Sequence, residues 1–171
     1  MSALDRLRKV LWTPNEDFTF GGIKLEEVGV PSNLEVHPDA AEFLNTCIPI
    51  YTGPKEHPDW CGILEYEVYW RDDLLSISKL YQSETFLLAR FGFVPIGDRD
   101  GDQFSINVQS GRFYGFDHTV GYFEDGFSIH GPNGFTDYPS TYENVCESAF
   151  EYGLLDDVIE AAQAMNQSKF E

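Results

Sequence analysis

Apolar residues recur along the chain in two rhythms, one helical and one of period two. Near the N-terminus Leu4, Leu7, Val10 and Leu11 fall on one face of a helix. Ser2 is placed to cap it, and Pro14 and Gly21-Gly22 break the pattern. A second helical stripe, Ala40, Phe43, Leu44 and Cys47, lies within residues 32–48. Pro38 and Asp39 suit its first turn, and Pro49 ends it. Gly53-Pro54 and His57-Pro58 predict a loop over 51–62. From 63 to 70 the period shortens to two. Leu64, Tyr66, Val68 and Trp70 alternate with Ile63, Glu65, Glu67 and Tyr69, which predicts one half-buried strand. A short helix is expected from Asp72 or Asp73 over Leu74, Ile77 and Tyr81. The run 85–95 is too continuously apolar for either period to decide.

Alternation is clearest over 103–108, where Phe104, Ile106 and Val108 share a face. Residues 112–117 form its partner strand, and Gln109-Ser110-Gly111 joins the two, with Gly111 in the left-handed position of a three-residue hairpin loop. A further pair, 120–123 and 127–130, turns around Glu124-Asp125-Gly126, and Gly131-Pro132-Asn133-Gly134 is a turn. Two helical stripes follow: Val145, Ala149 and Tyr152 up to Gly153, then Leu154, Val158, Ile159, Ala162 and Met165. Asp156 and Asp157 sit at the positive end of the second. Helices, then antiparallel strands, then helices predict an α+β fold, an antiparallel sheet packed by N-terminal and C-terminal helices in a single domain over 1–171.

Composition agrees. With 171 residues, 42% of them hydrophobic and 15% aromatic, the chain can bury a core without disulfides or metal. No apolar run approaches the roughly 18 residues of a membrane span. The first twenty residues carry Asp5, Arg6, Arg8, Lys9, Glu16 and Asp17, so no secretory signal is expected. Cys47, Cys61 and Cys146 are odd in number and widely spaced, with no CxxC. A reduced, cytoplasmic setting is expected, with Cys47 and Cys146 acting as small core residues.

Charge narrows the function. Twenty-nine Asp and Glu against eleven Lys and Arg give −18. Such a surface repels phosphate backbones and anionic lipid, so nucleic acid and membrane are not expected partners. A basic protein is; solubility alone is the alternative explanation. The imbalance is greatest between Phe113 and Ser168, where ten acids occur and no Lys or Arg.

Catalytic motifs are sparse. There is no GxSxG, P-loop or GxGxxG, and the four histidines show no metal-ligand spacing. Asp117-His118 is an acid beside a base, but neighbours on a strand point to opposite faces. Asp98, Asp100 and Asp102 in Gly97-Asp98-Arg99-Asp100-Gly101-Asp102 alternate as ligands of a hard cation do. The glycine is misplaced for an EF-hand and no glutamate closes the loop, so a tight acidic turn is the stronger expectation. The aromatics Tyr114, Phe116, Tyr122, Phe123 and Phe127 lack the basic groove that base stacking requires, and are expected in core or protein interface. No cofactor and no enzymatic activity are expected.

The stretch Phe93-Val-Pro-Ile-Gly-Asp-Arg-Asp-Gly-Asp-Gln-Phe-Ser-Ile-Asn107 resembles the SUKH (Smi/Knr-type) superfamily. It runs from an apolar pair through Pro-Ile-Gly and a polar turn to Gly-Asp and a strand. The aromatic second strand Gly111-Arg-Phe-Tyr-Gly-Phe-Asp117-His118 is similar as well. So are Ser148-Ala-Phe150-Glu-Tyr152, which matches a helix of the family, and Phe43-Leu44; together the likeness covers about residues 30 to 162. The resemblance implies a SUKH-like fold and a binding module: a bacterial immunity protein that neutralises a cognate, basic, nuclease-type toxin domain by stoichiometric blockade. A regulatory scaffold of the same fold is the alternative, and a metal-dependent hydrolase built on Asp98, Asp100 and Asp102 a second. Charge and turn position single out Asp98, Asp100, Asp102, Asp117, Glu124 and Asp125 as partner contacts, with Tyr114 and Tyr122 as anchoring area.

Overall fold

A computed structural model describes residues 3–10, 18–52, 61–83, 91–117, 120–122, 126–131, 134–139 and 141–170. Helix α1 (Ala3–Val10) forms where the first stripe predicts it and buries Leu7 and Val10. Strands β1 (Phe18–Gly21) and β2 (Ile48–Tyr51) pair antiparallel on either side of helix α2 (Pro38–Thr46) in sequence. The start of α2 is set by His37, which caps it: Nδ1 accepts from the Asp39 amide at 3.1 Å, and Pro38 occupies the first turn. Ala40, Phe43 and Leu44 are buried and Cys47 ends the helix. Pro49 therefore lies within β2 rather than serving as the helix stop.

The single strand expected over 63–70 is instead a hairpin of β3 (Cys61–Ile63) and β4 (Tyr66–Val68). Leu64 and Glu65 form its two-residue turn with φ of 51° and 67°, a conformation that twist-matched hairpins use despite its cost in side-chain-bearing residues. Helix α3 (Arg71–Ser83) follows, longer than its apolar pattern indicated. Strands β5 (Phe93–Arg99), β6 (Asp102–Asn107) and β7 (Phe113–Phe116) make the central meander. Gly111, at φ 72° in the β6–β7 loop, sits against the His37 ring, where an added Cβ would lie 2.5 Å from Nδ1.

Strands β8 (Val120–Tyr122), β9 (Gly126–Gly131) and β10 (Gly134–Pro139) form a separate three-stranded antiparallel sheet. Its β8–β9 pair is the predicted one; β10 carries no clear alternation and was not anticipated. Helix α4 (Tyr142–Glu147) is then cut short. The stripe expected to stay helical to Gly153 becomes strand β11 (Phe150–Gly153), before the final helix α5 (Leu155–Phe170).

The large sheet has the order β11-β7-β6-β5-β4-β3, all antiparallel. One face carries Val94, Ile96, Phe104, Ile106 and Phe113, packed by Leu7 of α1, Phe43 of α2, and Leu155 and Val158 of α5. This main core is aromatic at its heart: Phe113 meets Phe43 edge-on at 5.3 Å and stacks on Phe104 at 5.6 Å. The opposite face carries Phe93, Tyr114 and Phe116, covered by Val145 of α4. The fold is α+β, as the element order predicts. Among the described residues no helix is long and apolar enough to cross a membrane.

Candidate functional site

The core face of the sheet opens at the β11 edge into a groove of about 420 Å³. Its walls are set by strand register. Gly115 pairs with Phe104 on one side and with Phe150 on the other, so all three lie on the same face. A glycine inside a strand marks a close approach. An added Cβ at Gly115 would lie 2.5 Å from the Tyr66 hydroxyl and 3.1 Å from the Tyr152 ring. The missing side chain thus lets two tyrosines meet over the strand, their hydroxyls 2.8 Å apart. Tyr152 reaches this position because β11 bulges between Glu151 and Gly153.

Tyr66 is held on both ring faces. Phe104 stacks on one at 4.6 Å and 12°, and the Arg99 guanidinium lies 4.6 Å from the ring centroid. Arg99 also reaches the Asp102 carboxylate at 3.8 Å across the hairpin turn. Burial, reinforced by the hydrogen bond between the Tyr66 and Tyr152 hydroxyls, pushes the Tyr66 phenol well above the ordinary tyrosine range, so it stays protonated at neutral pH. Asp117, at the end of β7, and Phe150 complete the mouth. Phe150 is 65% exposed although it packs on Tyr152 at 4.7 Å. A hydrogen-bonded phenol pair, a guanidinium, two carboxylates and an exposed phenyl ring form a surface suited to contact and charge recognition.

The predicted contact residues distribute unevenly. Asp102 and Asp117 both line the groove. Asp98 does not: it pairs in register with Gln103, whereas Asp102 pairs with Arg99, so the pleat sends the two carboxylates to opposite faces. Asp98 instead accepts from the Gly101 amide at 3.4 Å, and Asp100 is exposed at the turn apex with φ 51°. Among the described residues no group of three or more His, Cys, Asp or Glu side chains is placed to hold a metal ion. Tyr114, expected to anchor a partner, is only 5% exposed and packs on Phe93 edge-on at 5.4 Å, so it supports the second face of the sheet instead. Tyr122 lies in β8. Glu124 and Asp125 lie outside the described residues, as does His118.

Asp156 and Asp157 serve their helix and its packing. Asp157 accepts from the Leu154 amide at 2.9 Å, and Asp156 pairs with Arg6 of α1. Cys47 is buried and Cys146 half-buried, and burial pushes both thiols up, away from nucleophilic character. Asn107 had no place among the sequence candidates, yet its side chain organises the β6–β7 loop. Oδ1 accepts from the Gln109 and Ser110 amides at 3.0 and 3.1 Å and from the Tyr142 hydroxyl at 3.1 Å, and Nδ2 donates to the Phe91 carbonyl at 3.0 Å.

Sequence reasoning also missed Tyr66, Arg99, Gly115, Phe150 and Tyr152 as a unit. Two signals pointed there: Phe150 and Tyr152 alternate with Glu151 and Gly153 as a strand does, and Gly115 interrupts an aromatic strand. No protein-family model matches the chain, and no curated protein or solved structure matches it either.

Proposed function

We propose that this chain is a binding protein that neutralises a basic protein by stoichiometric blockade, in the manner of the SUKH-type immunity proteins it resembles. The observation that carries the reading is the groove at the β11 edge, where the exposed Phe150 stands beside Asp102 and Asp117 on a chain of net charge −18. An exposed aromatic among carboxylates offers apolar area to a partner while selecting for positive charge. A nuclease must be basic to hold phosphate, and an acidic inhibitor would be steered onto the same surface that holds the substrate.

Co-expression with the product of the adjacent gene tests this. The expected result is rescue of growth from a toxic neighbour. It is accompanied by a one-to-one complex whose affinity falls as salt rises from about 0.05 to 0.5 M, because the charge attraction is screened. A neighbour that stays toxic in the presence of this chain, or is harmless by itself, removes the immunity reading and favours a regulatory scaffold.

A further inference from the structure

We propose that the outer edge of β11 is a strand-addition site that takes up an extended segment of a basic partner protein. For the identity of the partner this rests on the reading above; the open edge itself rests on strand register. β11 is the terminal strand of the large sheet and pairs with β7 alone among the described residues. Which of its backbone groups face outward follows from the neighbouring ladder. The Asn107 amide donates to the Arg112 carbonyl at 2.9 Å, so the hydrogen-bonded pairs of β6 and β7 are those in step with it, Ser105 with Tyr114 and Gln103 with Phe116. Tyr114 thus turns its N–H and C=O toward β6, and Gly115 turns its own toward β11. Gly115 pairs with Phe150, so Phe150 bonds β7 and Glu151 directs its N–H and C=O away from the sheet. No group among the described residues pairs with them.

An outward amide and carbonyl on an exposed terminal strand are what an incoming strand bonds. Side chains then decide which strand is taken. Phe150 is 65% exposed, and its ring would pack on a side chain of the added strand. Glu151, on the opposite face, is nearly half exposed and lies 3.3 Å from Arg112. Its charge is already paired, so selection for a basic partner rests on the field of the region. β11 lies in the stretch between Phe113 and Ser168 that holds ten acids and no Lys or Arg. A second copy of this chain fits poorly, because it would bring −18 against −18. The bulge between Glu151 and Gly153 keeps the regular edge short, which further limits sheet growth from copy to copy.

The edge is tested by amide hydrogen exchange in the isotopically labelled full chain. The probe is a capped peptide of alternating lysine and valine, about eight residues long. In the free chain the Glu151 amide should exchange rapidly and the Phe150 amide slowly. The peptide should then slow Glu151 saturably, by about tenfold at about ten times its dissociation constant. The same peptide with N-methylated amides should give no protection, nor should an alternating glutamate–valine peptide. Glu151→Pro removes the outward N–H without removing a bond to β7 and should abolish peptide binding. Glu151→Gln loses the same carboxylate but keeps the amide, and should bind within about twofold of the unaltered chain. Phe150→Ala should weaken the peptide by about threefold. If Glu151→Pro misfolds, protection at Glu151 in the unaltered chain carries the test by itself. A Glu151 amide already slow in the free chain, no protection by the peptide, or equal protection by either control peptide would overturn the proposal. So would protection that grows with chain concentration alone, which would make a second copy the occupant. Peptide binding without growth rescue removes the toxin reading and leaves the site; rescue by a chain that never binds the peptide does the reverse.

Discussion

The core face of the large sheet is one continuous aromatic ladder with two different ends. At one end Phe113 and Phe104 lie beneath Phe43 and the side chains of α1 and α5, closed to solvent. At the other the stack passes from Phe104 to Tyr66 and then to Arg99, and finishes in a groove beside the exposed Phe150. The strands, the register and the residue type are shared, so backbone structure does not cause the difference. Cover does: apolar helical side chains close the first end. At the second, a glycine, a tyrosine pair and charged side chains hold the surface open. A sheet built this way can spend its apolar area on stability at one end and leave it for contact at the other.

The closed end gives the largest predicted effect. Phe104→Ala removes a fully buried ring that touches Tyr66, Phe113 and Tyr152. Unfolding in urea should show a loss of about 3–5 kcal/mol, as for other buried aromatics truncated to alanine. A much smaller loss would mean that the ladder is not the structural axis of the fold.

Gly115→Ala comes next and acts at the boundary between the two ends. The new methyl would sit 2.5 Å from the Tyr66 hydroxyl, which is too close for any stable contact. Separating the tyrosines or shifting the strand should cost about 1–3 kcal/mol. Thermal unfolding followed by near-ultraviolet dichroism reads both the loss and the change in tyrosine environment.

The tyrosine pair itself is a smaller, pH-dependent contribution. Tyr152→Phe deletes the 2.8 Å hydroxyl contact and should cost about 1 kcal/mol at pH 7. Desolvation raises the folded-state pKa of Tyr66 above its unfolded value, and the Tyr152 hydrogen bond adds to the shift. Tyr114 and Tyr142 are raised as well, again first by burial. With folded values above the unfolded value, the native state holds the protons more tightly. The associated stability is therefore complete below pH about 10 and is lost as pH climbs through the folded values. Denaturant titrations at pH 8 and pH 11 should show that fall, and Tyr152→Phe should make it shallower.

How much of this was legible in the sequence depends on what kind of force placed each residue. Elements set by long apolar stripes were readable: α1, the body of α2, α5, and the β6–β7 hairpin with its glycine. The β3–β4 hairpin was not, because its two-residue turn, Leu64-Glu65, carries no Asn-Gly signal and is itself half apolar. One clue was present. The turn places Ile63 and Tyr66 on the same face, and Ile63 was an apolar residue standing in the polar phase of the supposed single strand. Strand β11 was hidden in the same way, since Val145, Ala149 and Tyr152 match a helical period that tertiary pairing with β7 overrides. The candidate site suffered most. Asp102 and Asp117 were legible from charge, but their aromatic companions come from β4 and β11, far apart in sequence and joined only by strand order.

The smallest predicted effect is the sharpest test of the comparison. Phe150→Ala removes a ring as large as that of Phe104, from the same face of the same sheet, yet 65% exposed rather than 1%. Only its edge contact with Tyr152 is lost from the folded state, and the unfolded chain gains little in return. Stability in urea should therefore change by no more than about 0.5 kcal/mol, the range of surface substitutions. A loss approaching that of Phe104→Ala would show that the groove is part of the core and that its aromatic wall exists for folding. Unchanged stability together with weakened binding of a basic partner would place the two phenylalanines in different roles, one holding the sheet together and the other offered to what the sheet recognises.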